Sequence, residues 1–186
     1  VRDYFTANGS AYIVMEYVDG ISLRDWLDSE SPNTGRRLRL FAQICDAVEF
    51  AHQNLIIHRD LTPGNILVAD ADEAKLIDFG IALPQSDDLE PKPQSALSRL
   101  TLTPGYSAPE RSAGGPVTTL ADIFSLGRIL ELLIGDSGNE ELVAIANKAA
   151  AAEPSDRYAS AALLARDIAA VSQNQPIAAF SSARAY

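Results

Sequence analysis

His58-Arg59-Asp60-Leu61-Thr62-Pro63-Gly64-Asn65 decides how this chain is read, and Asp78-Phe79-Gly80 follows thirteen residues after Asn65. Residues 55–68 around that stretch have no single hydrophobic period: the segment starts apolar, turns charged in the middle, breaks at Pro63-Gly64 and ends apolar. Neither a helical stripe nor strand alternation fits it, so it reads as a loop of the kind that carries chemistry on a rigid scaffold.

Working upstream, Thr34 to Gln53 places Leu38, Phe41, Ile44, Cys45, Val48 and His52 at three-and-four spacing, which predicts a long amphipathic helix. Ser22-Leu23-Arg24-Asp25 has the capping-box layout ahead of a short helix with Leu23, Trp26 and Leu27, ended by Ser31-Pro32. Before it, residues 1–5 and the β-branched and aromatic run 11–18 predict a hairpin across Asn8-Gly9, broken by Asp19-Gly20. His52 is a packed core histidine.

Working downstream, Lys75-Leu76-Ile77-Asp78 predicts a short strand stopped by Gly80. Residues 84–103 are polar, with three prolines and several hydroxyl side chains, a long loop of the sort that is usually functional. Thr119-Leu120-Ala121-Asp122 starts a helix apolar on most faces, through Ile123, Phe124, Leu126, Ile129, Leu130, Leu133 and Ile134, so it belongs in the centre of the core. Helices at 140–152 and 159–171 follow, and the small, polar tail 173–186 is linker-like.

A lone Asp-Phe-Gly recurs by chance and in turns. Order and spacing remove that explanation: the loop at His58, then Asp78-Phe79-Gly80, then Thr103-Pro104-Gly105-Tyr106-Ser107-Ala108-Pro109-Glu110, then Asp122-Ile123-Phe124-Ser125-Leu126-Gly127, then Arg157. The series resembles the eukaryotic-like Ser/Thr protein kinases, with the pattern H-R-D-L-x-x-x-N in the loop. The resemblance runs from Val1 to about Val171, and residues 152–160 are most similar to bacterial members. It implies a mainly α fold with short β-hairpins, a kinase-like C-lobe preceded by the last two strands and hinge of the N-lobe. The expected division is 1–20 for strands and hinge, 21–172 for the lobe and 173–186 for the tail.

The resemblance also implies roles. Phosphoryl transfer needs an aligned hydroxyl and cations that neutralise charge on the phosphate oxygens, so Asp60 is expected to accept the hydroxyl proton and Asn65 and Asp78 to hold Mg2+ beside ATP. Oxygen donors suit that cation, which keeps several waters and takes few protein groups. Backbone groups at Glu16 and Val18 are expected to bond adenine, with Met15 either the side chain at the back of that pocket or a strand core residue. His58 is expected to anchor the loop, Asp122 to accept its backbone amides, and Glu110 to pair with Arg157 in a buried ion pair. Phe79 and Gly80 are expected to be structural or regulatory. Thr103 stands where the family contacts the catalytic Asp. Arg59 matches kinases whose activation loop is ordered by a phosphorylated hydroxyl, for which Ser95, Ser98 and Thr101 are candidates against a bland reading as solvated loop hydroxyls. Pro63 and residues 103–106 favour Ser/Thr over Tyr as acceptor.

Two departures stand out. Thr62 occupies the catalytic-loop position where the family carries a charge-neutralising lysine, which points to weaker transition-state electrostatics. Only Gly135-Asp136-Ser137-Gly138-Asn139 lies between Ile134 and Glu140, where most members insert a docking helix, so the substrate-docking surface is expected to be reduced. The Gly-rich loop, phosphate-gripping lysine and partner glutamate would precede Val1, so this chain is expected to be a fragment, inactive by itself, whose partners are a protein substrate and the N-lobe. The alternative is a kinase-like scaffold with little catalysis, and a further one is self-association of the isolated lobe through its bared apolar surface.

Bulk properties agree with a globular domain: 186 residues, 47% hydrophobic and 22% charged. A net charge of −10 with no Lys/Arg cluster longer than Arg36-Arg37 argues against nucleic acid as partner. Cys45 has no disulfide partner, which predicts a reducing compartment and cytoplasmic location. No apolar run approaches the roughly 20 residues of a membrane span.

Overall fold

A computed structural model describes residues 3–7, 10–79, 105–112, 114–135, 138–173 and 175–179. Strand β1 (Asp3–Ala7) pairs antiparallel with β2 (Ser10–Val14), Ala7 opposite Ser10, in the predicted hairpin. A second antiparallel sheet has the order β3 (Ile21–Ser22), β4 (Ile66–Ala69), β5 (Glu73–Leu76), with Ile21 opposite Val68 and Ile66 opposite Leu76. The helices are α1 (Leu23–Glu30), α2 (Thr34–Gln53), α3 (Pro109–Ser112), α4 (Thr119–Ile134), α5 (Glu140–Ala149) and α6 (Ala161–Ser172).

Local chemistry explains where these helices begin. Ser22 Oγ accepts the Asp25 N–H at 3.2 Å and donates to Asp25 Oδ2 at 2.6 Å, so one side chain satisfies a free donor of the first turn of α1. Asn33 Oδ1 caps α2 through Arg36 N–H at 2.9 Å, and Asn139 caps α5 through Leu142 N–H at 3.0 Å. The apolar stripe of α2 buries Leu38, Phe41, Ile44, Cys45 and Val48 as its spacing predicts, with Leu40 and Ala51 beside them. Helix α4 buries residues on nearly every side and packs on both α2 and α5, while α6 closes the other face of α2. Burial of each large core side chain, such as Phe41, Leu126 or Leu130, contributes about 1.5–3 kcal/mol.

The sheet is fastened to the helices through Asp72. Its carboxylate accepts from Trp26 Nε1 at 3.1 Å and from Arg36 Nε and Nη2 at 2.8 and 2.7 Å, and its carbonyl accepts from Gln43 Nε2 at 2.9 Å. Those bonds hold a turn in which Ala71 and Asp72 take φ of 58° and 59°, a conformation that persists only when neighbours over-determine it. Gly20 lies so close to β4 that a Cβ there would meet Val68 O at 2.9 Å, which is why the chain passes the sheet with a glycine.

Four boundaries differ from the sequence reading. Strand β2 ends at Val14, and residues 15–20 have no regular structure, with Met15 46% and Tyr17 86% exposed, so Met15 is not a buried strand residue here. Strand β5 spans Glu73–Leu76 instead of running to Asp78, because Ile77 N–H turns to the Asn65 carbonyl at 3.0 Å and Asp78 adopts φ of 52°. Helix α5 stops at Ala149, since the carbonyls of Ala151 and Ala152 turn to Arg157. Helix α6 begins at Ala161 because Ser160 serves as its cap, Oγ accepting Leu163 N–H at 3.3 Å. The short α3 was not foreseen. In the tail, Ile177 is buried, and Asp167 accepts the N–H groups of Ala178 and Ala179 at 2.9 Å each. Gly80, Ser95, Ser98, Thr101 and Thr103 lie outside the described residues.

Candidate active site

The loop that follows α2 is held from beneath by one carboxylate. Asp122, 1% exposed in the first turn of α4, accepts His58 N–H through Oδ2 at 2.8 Å and Arg59 N–H through Oδ1 at 2.9 Å. His52 Nε2 reaches the same Oδ2 at 2.8 Å. A buried charge is tolerated when it is fully bonded, and here two backbone donors, an imidazole and the positive end of α4 supply that. His52 is therefore not a plain packed histidine but the third partner of Asp122. Only its register on α2 hinted at this.

Above that clamp, Arg59 takes φ of 70°, and its carbonyl accepts from Arg111 Nη1 on α3. The next residue, Asp60, donates its N–H to the His58 carbonyl at 2.9 Å. Asn65 Nδ2 donates to the Asp60 carbonyl at 2.8 Å and to Asp60 Oδ2 at 3.2 Å. Both amide hydrogens of Asn65 are thus committed to Asp60, and the group it retains for another partner is its amide oxygen. Thr62 is buried, and its carbonyl accepts Asn65 N–H at 3.0 Å, closing the turn Pro63–Asn65.

Asp78 is brought to this loop by its predecessor. Ile77 N–H donates to Asn65 O at 3.0 Å while Ile77 O is met by His58 Nε2 at 3.1 Å, so the residue before Asp78 is held on both sides. The His58 ring also lies 4.6 Å from the Phe79 ring, centroid to centroid. Since Ile77 O can only accept, His58 Nε2 carries the proton and buried Nδ1 is left without a partner. Burial pushes the His58 pKa below its ordinary 6.5, against the opposing charge of Asp122. Asp78 itself is exposed.

On the far side, Arg157 and Glu110 form the expected ion pair, in bidentate form, with Nη1 to Oε1 at 2.7 Å and Nη2 to Oε2 at 2.8 Å. Burial pushes Glu110 upward, but the hydrogen bonds and charge of Arg157 outweigh it and hold the carboxyl below its ordinary 4.5. Ser125 Oγ donates to Tyr106 O at 2.8 Å and Arg128 Nε to Gly105 O at 3.0 Å, so α4 also holds the segment preceding α3. At the other edge, Glu16 is exposed and Val18 half-buried in the irregular stretch after β2.

Asp60, Asn65 and the residue before Asp78 thus meet through backbone and amide bonds, as the spacing of the motifs requires. The model of the protein kinase domain family matches residues 1–161. The chain belongs to the protein kinase domain family. Its relatives are bacterial Ser/Thr kinases. It is 35% identical over 195 residues to the serine/threonine-protein kinase PknB of Mycobacterium tuberculosis, which covers 89% of this chain and 31% of that protein. It is 39% identical over 146 residues to PrkC of Bacillus subtilis, 76% of this chain and 22% of the relative. PknD of Mycobacterium tuberculosis is 41% identical over 137 residues, 73% and 20% of the two chains. The chain thus spans about a third or less of the length of these relatives. Kinases of this family generally use ATP and Mg2+. Among the described residues no helix is long and apolar enough to cross a membrane.

Two contributors escaped the sequence reading, His52 and Arg111. Arg111 follows the Ala108-Pro109-Glu110 motif directly, but nothing in a linear pattern shows that its guanidinium reaches a carbonyl 52 residues earlier.

Proposed function

We propose that the full-length protein is a cytoplasmic Ser/Thr protein kinase that moves the γ-phosphoryl group of ATP, with Mg2+, to hydroxyls of protein substrates. The observation that carries this reading is the single hydrogen-bonded unit formed by Asp60, Asn65 and the Ile77–Asp78 junction. Asp60 takes the hydroxyl proton, and its carboxylate is oriented for that by Asn65 Nδ2. The donor set fits a hard cation: the Asn65 amide oxygen and the exposed Asp78 carboxylate supply oxygens, and a small set is what Mg2+ takes when waters and phosphates fill the other positions. Among the described residues no group of three or more His, Cys, Asp or Glu side chains is placed to hold a metal without such help.

When bound, ATP and Mg2+ supply the phosphoryl group and the charge neutralisation that transfer demands. The residues of this chain hold the hydroxyl's base and the metal's oxygens, while Glu16 and Val18 offer backbone groups to the adenine edge. Residues 1–20 are read as N-lobe strands and hinge, 21–172 as the larger lobe, and 173–186 as a linker-like tail whose residues 178 and 179 bond to Asp167. Arg59 would receive a phosphorylated Ser95, Ser98 or Thr101. Thr62, buried where a lysine would add positive charge, favours a slower transfer step and motivates the scaffold reading as the alternative.

The test is phosphate incorporation into a generic Ser/Thr protein by the full-length protein with Mg-ATP. Transfer to Ser or Thr is expected, with Asp60→Asn lowering kcat about 10²–10⁴-fold as loss of a general base does. A folded full-length protein that transfers nothing would overturn the proposal in favour of the scaffold.

A further inference from the structure

Asp60 is preceded by a residue in a conformation that needs support. Arg59 has φ of 70°, in the left-handed region that side chains with a Cβ seldom occupy, and such a backbone persists only where its surroundings over-determine it. Both of its polar groups are tied. The N–H donates to Asp122 Oδ1 at 2.9 Å and the carbonyl accepts from Arg111 Nη1. The peptide plane from Arg59 to Asp60 has its oxygen bonded to Arg111 and its N–H bonded to His58 O at 2.9 Å. That plane sets the direction in which the Asp60 side chain leaves the backbone.

Arg111 comes from a separate and firmly anchored element. Its neighbour Glu110 is locked to Arg157, the Glu110 carbonyl accepts Gly115 N–H at 2.8 Å, and Arg111 N–H donates to Ala108 O at 3.1 Å. A charged donor makes a stronger bond to a carbonyl than a neutral one, and the Arg111 side chain is half-buried, where water competes less. The loop residue before Asp60 is therefore held between a carboxylate of α4 and a guanidinium of α3.

We propose that Arg111 is a positioning residue for phosphoryl transfer, its guanidinium holding the Arg59 carbonyl and, through the Arg59–Asp60 peptide plane, the aim of the Asp60 carboxylate. This rests on the kinase reading above and adds to it a residue outside the catalytic loop. Without Arg111 the carbonyl turns to water, and the peptide plane, held then only by its N–H bond to His58 O, tilts from its position. Misplacement of a catalytic group by about 1 Å costs on the order of 10²-fold in rate. Groups that would bind ATP and substrate are untouched, so the loss falls on kcat and not on KM.

The experiment compares the full-length protein with Arg111→Met, Arg111→Gln and Arg111→Lys, measuring kcat, KM for Mg-ATP and for a generic Ser/Thr protein, and the thermal midpoint. Arg111→Met is expected to lower kcat about 10- to 100-fold with both KM values within about twofold. Arg111→Lys, which restores a charged donor of nearly the same reach, recovers most of the loss. Arg111→Gln ends two bonds short of the carbonyl yet keeps a polar helix surface, so it loses kcat as Arg111→Met does and decides the matter should Arg111→Met not fold. A Met or Gln variant with kcat within twofold of wild type overturns the inference, as does a loss that Lys does not repair. If wild type itself transfers no phosphate, the kinase reading fails first.

Discussion

Arg157 spends every N–H it has. Nε goes to Ala151 O at 2.8 Å, Nη1 to Glu110 Oε1 at 2.7 Å and Leu120 O at 2.9 Å, and Nη2 to Glu110 Oε2 at 2.8 Å and Ala152 O at 3.0 Å. Its guanidinium also sits 5.0 Å from the Phe124 ring centroid, and its side chain is 0% exposed. Removing one partner of a buried pair costs about 3–5 kcal/mol because the other charge is stranded. Arg157→Met should fall at the low end, about 3 kcal/mol, since Glu110 keeps 17% of its side-chain surface in water. Arg157→Lys should recover little, because an ammonium offers three donors without the planar fork. Urea denaturation of both variants checks this, and a loss under about 1 kcal/mol for Arg157→Met would contradict it. The pairing itself was legible from the order of the motifs. The three carbonyls capped by the same guanidinium were not, since backbone acceptors leave no mark in a sequence.

At the scale of elements, α4 is the post on which the lobe is assembled, and at Gly127 it leaves no room for a side chain. A Cβ there would meet Ala150 N at 2.6 Å, Ala149 Cβ at 2.9 Å and Ala146 O at 3.0 Å, all belonging to α5 or its end. Within a helix Gly to Ala ordinarily gains about 1 kcal/mol in propensity. Here overpacking against backbone atoms that cannot move aside costs about 1–3 kcal/mol, and sterics should win. Gly127→Ala is expected to lower stability by about 1–2 kcal/mol, read as a shift of the thermal midpoint to lower temperature. A rise in the midpoint would show that α5 can step back. Helix positions were legible because amphipathic period and capping residues are local signals. Their ends were less so: α5 is cut short by Arg157 and β5 by the Ile77–Asn65 bond, and both causes are tertiary.

For the whole molecule, the same two histidine and carboxylate environments set its response to acid. His58 has a folded pKa below its ordinary 6.5, so the unfolded chain takes up that proton first and stability drains as pH falls below about 6.5. Glu110 has a folded pKa below its ordinary 4.5, so its contribution is present above about 4.5 and is lost as pH falls toward the folded value. Both act in one direction. The net charge of −10 works against them, since acid relieves self-repulsion, but exposed surface charges are screened by salt while these two groups are partly buried. At physiological salt the urea midpoint is expected to fall in two stages on acidification from pH 8 to 4, and a midpoint that rises between pH 6.5 and 5 would refute the His58 assignment. By itself the sequence determined the family and the order of the long helices, and it marked Asp60, Asn65, Asp78, Asp122, Glu110 and Arg157 as candidates, because each motif is short and stands in a fixed order and spacing along the chain. Only the tertiary structure decided that His52 completes the Asp122 clamp, that Arg111 reaches the Arg59 carbonyl and that residues 175–179 return to the lobe. Each of those bonds joins groups far apart in sequence, and folding alone brings them within reach.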